Sequence, residues 1–307
     1  MVDPDTFLTA LYVTVDEYMT CVPVAVQPGP AARLTPSEVV TLALFAQWRQ
    51  FATERAFYRS AVAHLCGACP TLPARSQYNR LLRRCHDALV AVGPHLAALL
   101  DGRASPYEAR AGMGVATRNL KRRGTGWLAG QADIGRCNRV GWYEGLHVLT
   151  AVTPTGAITG YGIAPASTKD QRLAETFLAA RHTPQGGLTN VGAPASGLYV
   201  VDAGFEGRPW HTRWAQCYGA TVIAKPKRSA PGYWPQPLRR WHARIRRIVE
   251  TVHDRLLATF GLEHERPHDL AGFRTRLAAK VALQNFCLWL NVQLGRPPLA
   301  FADVIDW

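Results

Sequence analysis

A short apolar strand that ends in an aspartate constrains this chain most. Residues 197–201 read Gly-Leu-Tyr-Val-Val and are followed at once by Asp202. A continuous apolar run of this length is typical of a strand that is buried on both faces. The pattern then predicts a helix near 210–218 and a strand at 220–224, so the segment is a βαβ unit. Functional groups gather at the carboxyl ends of strands in such sheets, which makes Asp202 the first candidate site residue.

The neighbouring segments predict a mixed α/β sheet with helices on its faces. Strands at 148–152 and 157–164 flank a turn that contains Pro and Gly, so they form a hairpin. A helix follows at about 173–181. Two longer helices are expected at about 239–260 and 272–295. Strands that pair locally and then alternate with helices imply one mixed sheet, not a sandwich or a helical bundle.

The first third of the chain predicts helices alone, so we divide it into a helical region at 1–104 and a mixed-sheet domain at 105–307. Thr35, with Glu38 three residues later, predicts a capping box at one helix start. A second helix is expected from near Ser76 through residue 89. Its other face is basic, with Arg75, Arg80, Arg83 and Arg84. Short helices with one basic face suit a helix-turn-helix-like DNA-binding region, and a plain helical cap on the main domain is the alternative.

The chain is strongly basic. Its 35 Lys and Arg against 22 Asp and Glu give a formal net charge of +13. Such an excess is typical of proteins that bind a polyanion, and nucleic acid offers the densest line of phosphates. A chain that uses arginine merely as its ordinary surface cation is the alternative. No apolar run approaches ~18 residues and the first residues lack a basic segment, so we expect no membrane span, no signal peptide and a cytoplasmic location.

Eight of these cations fall in one stretch that contains no acidic residue. They are Lys225, Lys227, Arg228, Arg239, Arg240, Arg244, Arg246 and Arg247. Tyr233, Trp234 and Trp241 are interleaved with them. Cations that hold phosphates, beside aromatic rings that stack on bases, favour DNA contact over a solvated charged loop. A smaller cluster has the same character: Arg118, Lys121, Arg122 and Arg123.

Glu250 is the second candidate site residue. It lies within a helical segment whose apolar stripe includes Ile245, Val249 and Val252, and it falls off that stripe. Taken alone, a surface helix with ordinary charge pairs is the favoured interpretation of Glu250.

Five segments together resemble bacterial insertion-sequence transposases of the DDE type. The segments are Leu-Thr-Pro-Ser-Glu-Val-Val at 34–40, Arg-Ser-Gln-Tyr-Asn-Arg at 75–80, Gly-Trp-Tyr-Glu-Gly-Leu-His at 141–147, Val-Asp-Ala-Gly-Phe at 201–205 and Arg-Ile-Val-Glu-Thr-Val at 247–252. They occur in the family's order and cover nearly the whole chain. The resemblance implies a ribonuclease-H-like core that binds the ends of a mobile element and catalyses cleavage and transfer of DNA strands.

The resemblance also assigns roles to residues. Asp202, in its Asp-x-Gly context, matches the second catalytic Asp, and Glu250 matches the catalytic Glu, with Arg247 three residues before it. Carboxylates of this kind would hold two Mg²⁺ or Mn²⁺ ions for attack on a phosphodiester. The implied partner is double-stranded DNA, both as the ends of the element and as the target. The resemblance also implies a homodimer that is associated with the nucleoid and binds paired ends.

One expected carboxylate is missing. The family's first catalytic Asp lies on the first strand of the core, predicted here at 107–115. The matching position is Ala111, which cannot bind a metal, and the preceding Arg110 is out of place in an interior strand. Glu108 should point to the opposite face of that strand, because it lies three residues away.

Four other residues near the predicted strands carry groups that could serve the site. Asp101 precedes the strand and Asp133 follows it, so either replaces the missing Asp only if the strand register differs. His147 is interpreted as a core histidine, although it could face the site. Asp170 resembles a recurrent position of the family after the hairpin; it is interpreted as the cap of the helix that contains residue 173, and a site role is the alternative.

Three functions remain open. The first is a transposase by descent whose cleavage activity is impaired by Ala111. The second is a catalytically inactive DNA-binding derivative, either a repressor or accessory factor or a decayed copy. The third is another ribonuclease-H-like nuclease such as a junction resolvase, which the helical N-terminal region disfavours.

Overall fold

The computed structural model describes residues 2–21, 32–51, 53–118, 128, 130–182, 191–226 and 233–305. The helices are α1 Pro4–Thr20, α2 Pro36–Trp48, α3 Glu54–His64, α4 Arg75–Arg84, α5 His86–Leu99, α6 Asp170–Arg181, α7 Arg208–Tyr218, α8 Gln236–Asp254 and α9 Leu270–Gln293. The strands are β1 Glu108–Arg118, β2 Asp133–Cys137, β3 Gly141–Val152, β4 Ile158–Pro165, β5 Leu198–Val201 and β6 Thr221–Ala224. A single turn of π-helix, Arg255–Thr259, follows α8.

The strands form one mixed sheet. Its order along the main path is β2-β3-β1-β5-β6, and β4 pairs with β3 beside β2. β3 is antiparallel to β1, β2 and β4, whereas β1, β5 and β6 run parallel to one another. A central first strand, an antiparallel hairpin on one side and parallel βα-connected strands on the other make the ribonuclease-H-like arrangement. This confirms the fold that the sequence predicted.

Helices cover both faces of the sheet. On one face, α8 and α9 bury apolar residues such as Val249 and Phe286 against Ala109 and Val148 in the main core. The other face packs against α6 and α7 through a smaller core. The N-terminal helices join the main core, since Phe7 of α1 lies 5.2 Å from Phe286 of α9, ring centre to ring centre. This apolar contact ties the helical region to the sheet domain.

Local signals in the sequence correspond well to these elements, with one exception. The capping box is present, because Thr35 Oγ1 accepts from the backbone of Glu38 and the Glu38 carboxylate accepts from Thr35. The predicted hairpin is β3 and β4. The single helix expected through residue 89 is wrong, since the chain turns at Cys85 and continues as α5. That turn lets α5 pack against α9 while α4 packs against α2.

Across the described ranges, we find no helix with the length and apolar character needed to cross a membrane.

Candidate active site

Asp202 follows the carboxyl end of β5, as expected. Its Oδ1 accepts a hydrogen bond of 2.9 Å from the backbone N–H of Gly204, which fixes the turn after the strand. The side chain is 31% exposed. It is therefore a partly buried carboxylate at the edge of the sheet where β5 and β6 end. The longer strand β1 continues past this edge.

Helix α8 brings the second carboxylate toward this edge. Ile245, Val249 and Val252 are buried against the sheet, so the adjacent turns of the helix aim Arg246 toward Asp202. Arg246 Nη2 lies 3.7 Å from Asp202 Oδ2 and 3.5 Å from Glu250 Oε1. One guanidinium thus stands between the two predicted site carboxylates.

Ala111 lies on the central strand β1, at the position next to Asp202. In the parallel pairing of β1 with β5, Arg110 is opposite Val201, and the positions that follow this pair are Ala111 and Asp202. On its other side, Ala111 pairs with Thr150 of β3. The Thr150 hydroxyl is 2.7 Å from Nε2 of His253 on α8, so position 111 faces the helix that carries Glu250. Ala111 is 4% exposed and offers only a methyl group.

Asp170 and His147 also lie near Asp202, because the charge of Asp170 acts on Asp202 and the charge of Asp202 acts on His147. Asp170 Oδ1 is 3.1 Å from His147 Nε2, and the other ring nitrogen of His147 donates to the Thr168 carbonyl at 2.9 Å. A Cβ added at Gly204 would lie 2.3 Å from Asp170 Oδ2 and 3.0 Å from Asp202 Oδ1. Because Gly204 has no Cβ, the carboxylates of Asp170 and Asp202 can both lie next to it. The interpretation of Asp170 as a helix cap is wrong, because Lys169 holds the cap position and no side chain caps α6.

The pKa values of the titratable groups at this edge are shifted because these groups are buried close to one another. Burial of Asp202 raises its pKa, and the charge of Asp170 adds to that effect against the opposing Arg246. Burial acts against a charged His147, but its hydrogen bonds to Asp170 and Thr168 prevail and raise the pKa of that ring. His253 is buried, and this burial lowers its pKa to about 3. Thr150 and His253 thus present a neutral surface beside Ala111.

A further histidine fixes α8 against β5. His242 is buried and its Nε2 donates to the Val201 carbonyl at 2.8 Å, one residue before Asp202. Lys225 follows β6 and its charge acts on His242, so this predicted DNA-binding residue lies near the site. Burial lowers the pKa of His242, and the neighbouring cations Arg246 and Lys225 act in the same direction.

The remaining predicted DNA-binding residues divide into three groups. Arg240, Arg244 and Arg247 are exposed along α8, whereas Arg239 stacks over Tyr233 at 5.1 Å. Arg118 ends β1, seven residues past Ala111 and hence roughly 23 Å along the strand, so it is not brought to this edge. The others lie outside the described residues: Lys121, Arg122, Arg123, Lys227 and Arg228.

None of the three carboxylates considered above as neighbours of the first strand lies beside Ala111 on the face of Asp202. Glu108 points to the opposite face, as expected, and is held by both terminal nitrogens of Arg181. Asp101 precedes β1 in a left-handed turn. Asp133 begins β2, opposite Gly145, and β3 separates β2 from β1.

The donor set does not fit the pair of metal ions that such a fold would hold. Among the described residues, no group of three or more His, Cys, Asp and Glu side chains is arranged to hold a metal. Ala111 supplies no ligand, and the Arg246 cation lies where Asp202 and Glu250 approach each other. Oxygen ligands are what Mg²⁺ requires, and a guanidinium supplies none.

Sequence reasoning missed three features of this site. Asp170 and His147 come from separate elements, and nothing local distinguishes their roles from a cap and a core residue. Arg246, not Arg247, is the arginine in contact with Glu250. Its position four residues before Glu250 on a helix was the available signal.

Comparison with known families gives one match. Residues 118–286, more than half of the 307-residue chain, match the family model described as the transposase DDE domain. The matched range begins after Ala111 and includes Asp202 and Glu250. No curated protein sequence matches the chain.

Solved structures give weaker likenesses. The Mos1 strand transfer complex is 12% identical, with 89% of this chain and 83% of that chain covered and a TM-score of 0.24. The Mos1 paired-end complex with the left transposon end is 12% identical, with coverages of 80% and 85% and a TM-score of 0.21. Scores this low support no transfer of function, so the family match stands on the sequence.

Proposed function

Because the chain belongs to the DDE transposase family, we propose that it binds DNA as a transposase does but no longer cuts it. Strand cleavage in this family depends on divalent metal ions held by carboxylates. The observation that supports the proposal is the position beside Asp202 on the central strand, where Ala111 supplies a methyl group. Asp202 and Glu250 are retained, but a cation of the protein lies between them, because Arg246 Nη2 is 3.7 Å from Asp202 and 3.5 Å from Glu250.

DNA binding is supported by the exposed cations of α8. Arg240, Arg244 and Arg247 follow one another at helical spacing, and Glu250 comes three residues after Arg247. At 1.5 Å per residue, this ridge of positive charge extends about 10 Å and ends at the candidate site. A DNA strand bound along it would present a phosphodiester to Asp202 and Glu250. The formal net charge of +13 strengthens the attraction.

The division of the chain at residue 104 belongs to the same proposal. Residues 1–104 would contribute DNA recognition, and residues 105–307 would hold the strand near the former catalytic site. We further infer a homodimer on paired element ends, acting on DNA in the cytoplasm.

Binding without a metal requirement is the first test. Fluorescence anisotropy with a labelled duplex, in EDTA and in Mg²⁺, should give equal affinities that fall steeply with salt. The log–log slope should be near −0.9 per phosphate contacted, and Arg244→Ala should reduce it by about one. A chain that binds no duplex, or binds only with Mg²⁺, would contradict the proposal.

Metal affinity is the second test. Titration calorimetry with Mn²⁺ should detect no specific site in the native chain. Ala111→Asp should gain one, and the double variant Ala111→Asp with Asp202→Asn should lose it again. A native chain that binds Mn²⁺ as strongly as Ala111→Asp would show that the missing carboxylate is irrelevant.

A repressor or accessory role is the second candidate function. The observation that favours it is again Ala111 beside Asp202. A chain that occupies element ends without cutting them would block an active transposase. Cleavage by an intact relative, measured with and without this chain, would separate such a role from simple decay.

A further inference from the structure

We propose that a cavity between the helical region and α9 binds a small aliphatic amine in its ammonium form. The cavity has a volume of about 550 Å³, which is typical of sites for small molecules. Its walls come from α2, α3 and α4 on one side and from the π-helical turn and α9 on the other. Asp202, Arg246 and Glu250 do not line it, so this site is separate from the candidate active site.

The carboxylate of Glu54 is the observation that carries the proposal. Glu54 is half-buried in the first turn of α3 and lines the cavity. Its Oε1 is enclosed and accepts no hydrogen bond from the described part of the chain. The ion pairs of the described ranges do not include Glu54 either. A carboxylate oxygen that is withdrawn from water without a donor is costly, so we expect a donor beside it in the cavity.

The two cations of α9 that line the cavity are used elsewhere. Lys280 is 2% exposed, and its ammonium group donates to the Gln47 side chain and to a backbone carbonyl. It also pairs with Glu265 at 3.0 Å, so its three hydrogens are all used. Arg276 Nη1 lies 2.9 Å from the other oxygen of Glu265. Glu265 is thus compensated twice, whereas neither cation pairs with Glu54.

Aromatic rings favour an ammonium group over water as the missing donor. Four aromatic residues line the cavity together with Glu54: Phe51, Phe57, Tyr78 and Phe260. Phe51 and Phe57 lie three residues to either side of Glu54, and their ring centres are 5.5 Å apart. A cation is attracted to the faces of such rings and an alkyl chain packs against them, whereas a water molecule gains neither contact. A carboxylate among aromatic rings therefore suits an alkylammonium ion.

Thermal unfolding of the full chain without DNA tests the proposal. The probe is n-butylammonium chloride, sodium chloride at equal ionic strength is the salt control, and n-butanol is the uncharged analogue. A ligand that binds only the folded state raises the unfolding temperature. The temperature should therefore rise with n-butylammonium relative to both controls, and titration calorimetry should detect one site.

Substitution of the carboxylate tests its role in the same assay. Glu54→Gln keeps the size of the side chain and removes its charge, so it should bind n-butylammonium about tenfold more weakly or worse. Glu17→Gln is the matched control, because it changes an exposed carboxylate of α1 that does not line the cavity. It should bind the amine as the native chain does.

Several results would overturn the proposal. Equal responses of the native chain to n-butylammonium and sodium chloride would mean that water satisfies Glu54. An equal response to n-butanol would mean that the cavity takes apolar molecules without regard to charge. Equal binding by the native chain and Glu54→Gln would remove the carboxylate from the site. The comparison of the three solutes uses the native chain alone, so it decides the question even if Glu54→Gln unfolds. The proposal is independent of DNA binding, so its failure would leave the proposed function unaffected.

Discussion

The Arg246 guanidinium lies 3.7 Å from the Asp202 carboxylate. Because the same nitrogen is 3.5 Å from Glu250, one protein cation lies between the two candidate site carboxylates. It offsets only part of their charge, because burial and the charge of Asp170 still raise the pKa of Asp202. Substitution of Arg246 and of Asp202 tests this arrangement.

Removing that cation should change the titration of Asp202. Arg246 favours the ionised form, so Arg246→Met should raise the pKa of Asp202 further and reduce stability at neutral pH by no more than about 1 kcal/mol. Carbon-13 NMR of the carboxyl group measures the first effect and urea unfolding the second. Arg247→Met, one residue along the same helix, should alter neither. A shift of equal size in both variants would remove Arg246 from this role.

Asp202 itself should cost stability near neutral pH. Its pKa is raised in the folded state above the ordinary value of 3.8, so ionisation favours the unfolded chain. Asp202→Asn keeps an acceptor for the Gly204 N–H and should be more stable than the native chain at pH 7. The difference should disappear in acid, below about pH 3.8, where the carboxyl is protonated in both states. A less stable variant at pH 7 would show that Asp202 serves as a structural anchor.

His253 should make the chain sensitive to acid. Burial lowers its pKa to about 3, so the unfolded state binds a proton between pH 6.5 and 3 that the folded state refuses. Stability should therefore fall with decreasing pH in that window, by up to about 1.4 kcal/mol per unit from this group. His253→Phe should lack that contribution, whereas exposed His64→Phe should retain it. Parallel pH profiles for the native chain and His253→Phe would contradict the assignment.

Arg110 should be a destabilising residue. It is 1% exposed, lies 3.5 Å from the centre of the Tyr199 ring, and its Nε and Nη2 have no hydrogen-bond partner in the described part of the chain. The charge of Glu108 favours a charged Arg110, but both oxygens of that carboxylate are hydrogen-bonded by Arg181. Arg110→Met should stabilise the chain by about 1–4 kcal/mol.

The neighbouring ion pair provides the control for Arg110. Arg181→Met leaves Glu108 buried without its partner and should destabilise by about 3–5 kcal/mol. Thermal unfolding of the two variants should thus shift in opposite directions. A loss of stability in both would mean that the stacked Arg110 guanidinium is accommodated by the rings around it.

Residues whose role is set by neighbours along the chain were predictable. The capping box at Thr35 and the apolar strand before Asp202 depend on local spacing, and so does the hairpin. Ala111 was identified through the family resemblance, whereas strand periodicity alone placed Glu108 on the opposite face. Asp170 was not, since its contact with His147 depends on how α6 meets β3, and no local pattern encodes that meeting.

The choice between Arg246 and Arg247 illustrates the same limit. Both lie within one turn of Glu250, and only the packing of Ile245 and Val249 against the sheet decides which one turns toward Asp202. The sequence showed that Arg110 is unusual in an interior strand, but it did not show the aromatic rings on which its guanidinium stacks. These rings are Tyr199 of β5 and Phe177 of α6. Long-range packing supplies such details.

Nicking of a supercoiled plasmid in Mg²⁺ most directly tests whether Ala111 separates DNA binding from DNA cutting. The plasmid carries a duplex that the native chain binds, and the native chain, Ala111→Asp and the double variant Ala111→Asp with Asp202→Asn are compared at equal occupancy. We expect no Mg²⁺-dependent nicking by the native chain, nicking by Ala111→Asp, and none by the double variant. Equal nicking by the native chain and Ala111→Asp would contradict the loss of cleavage.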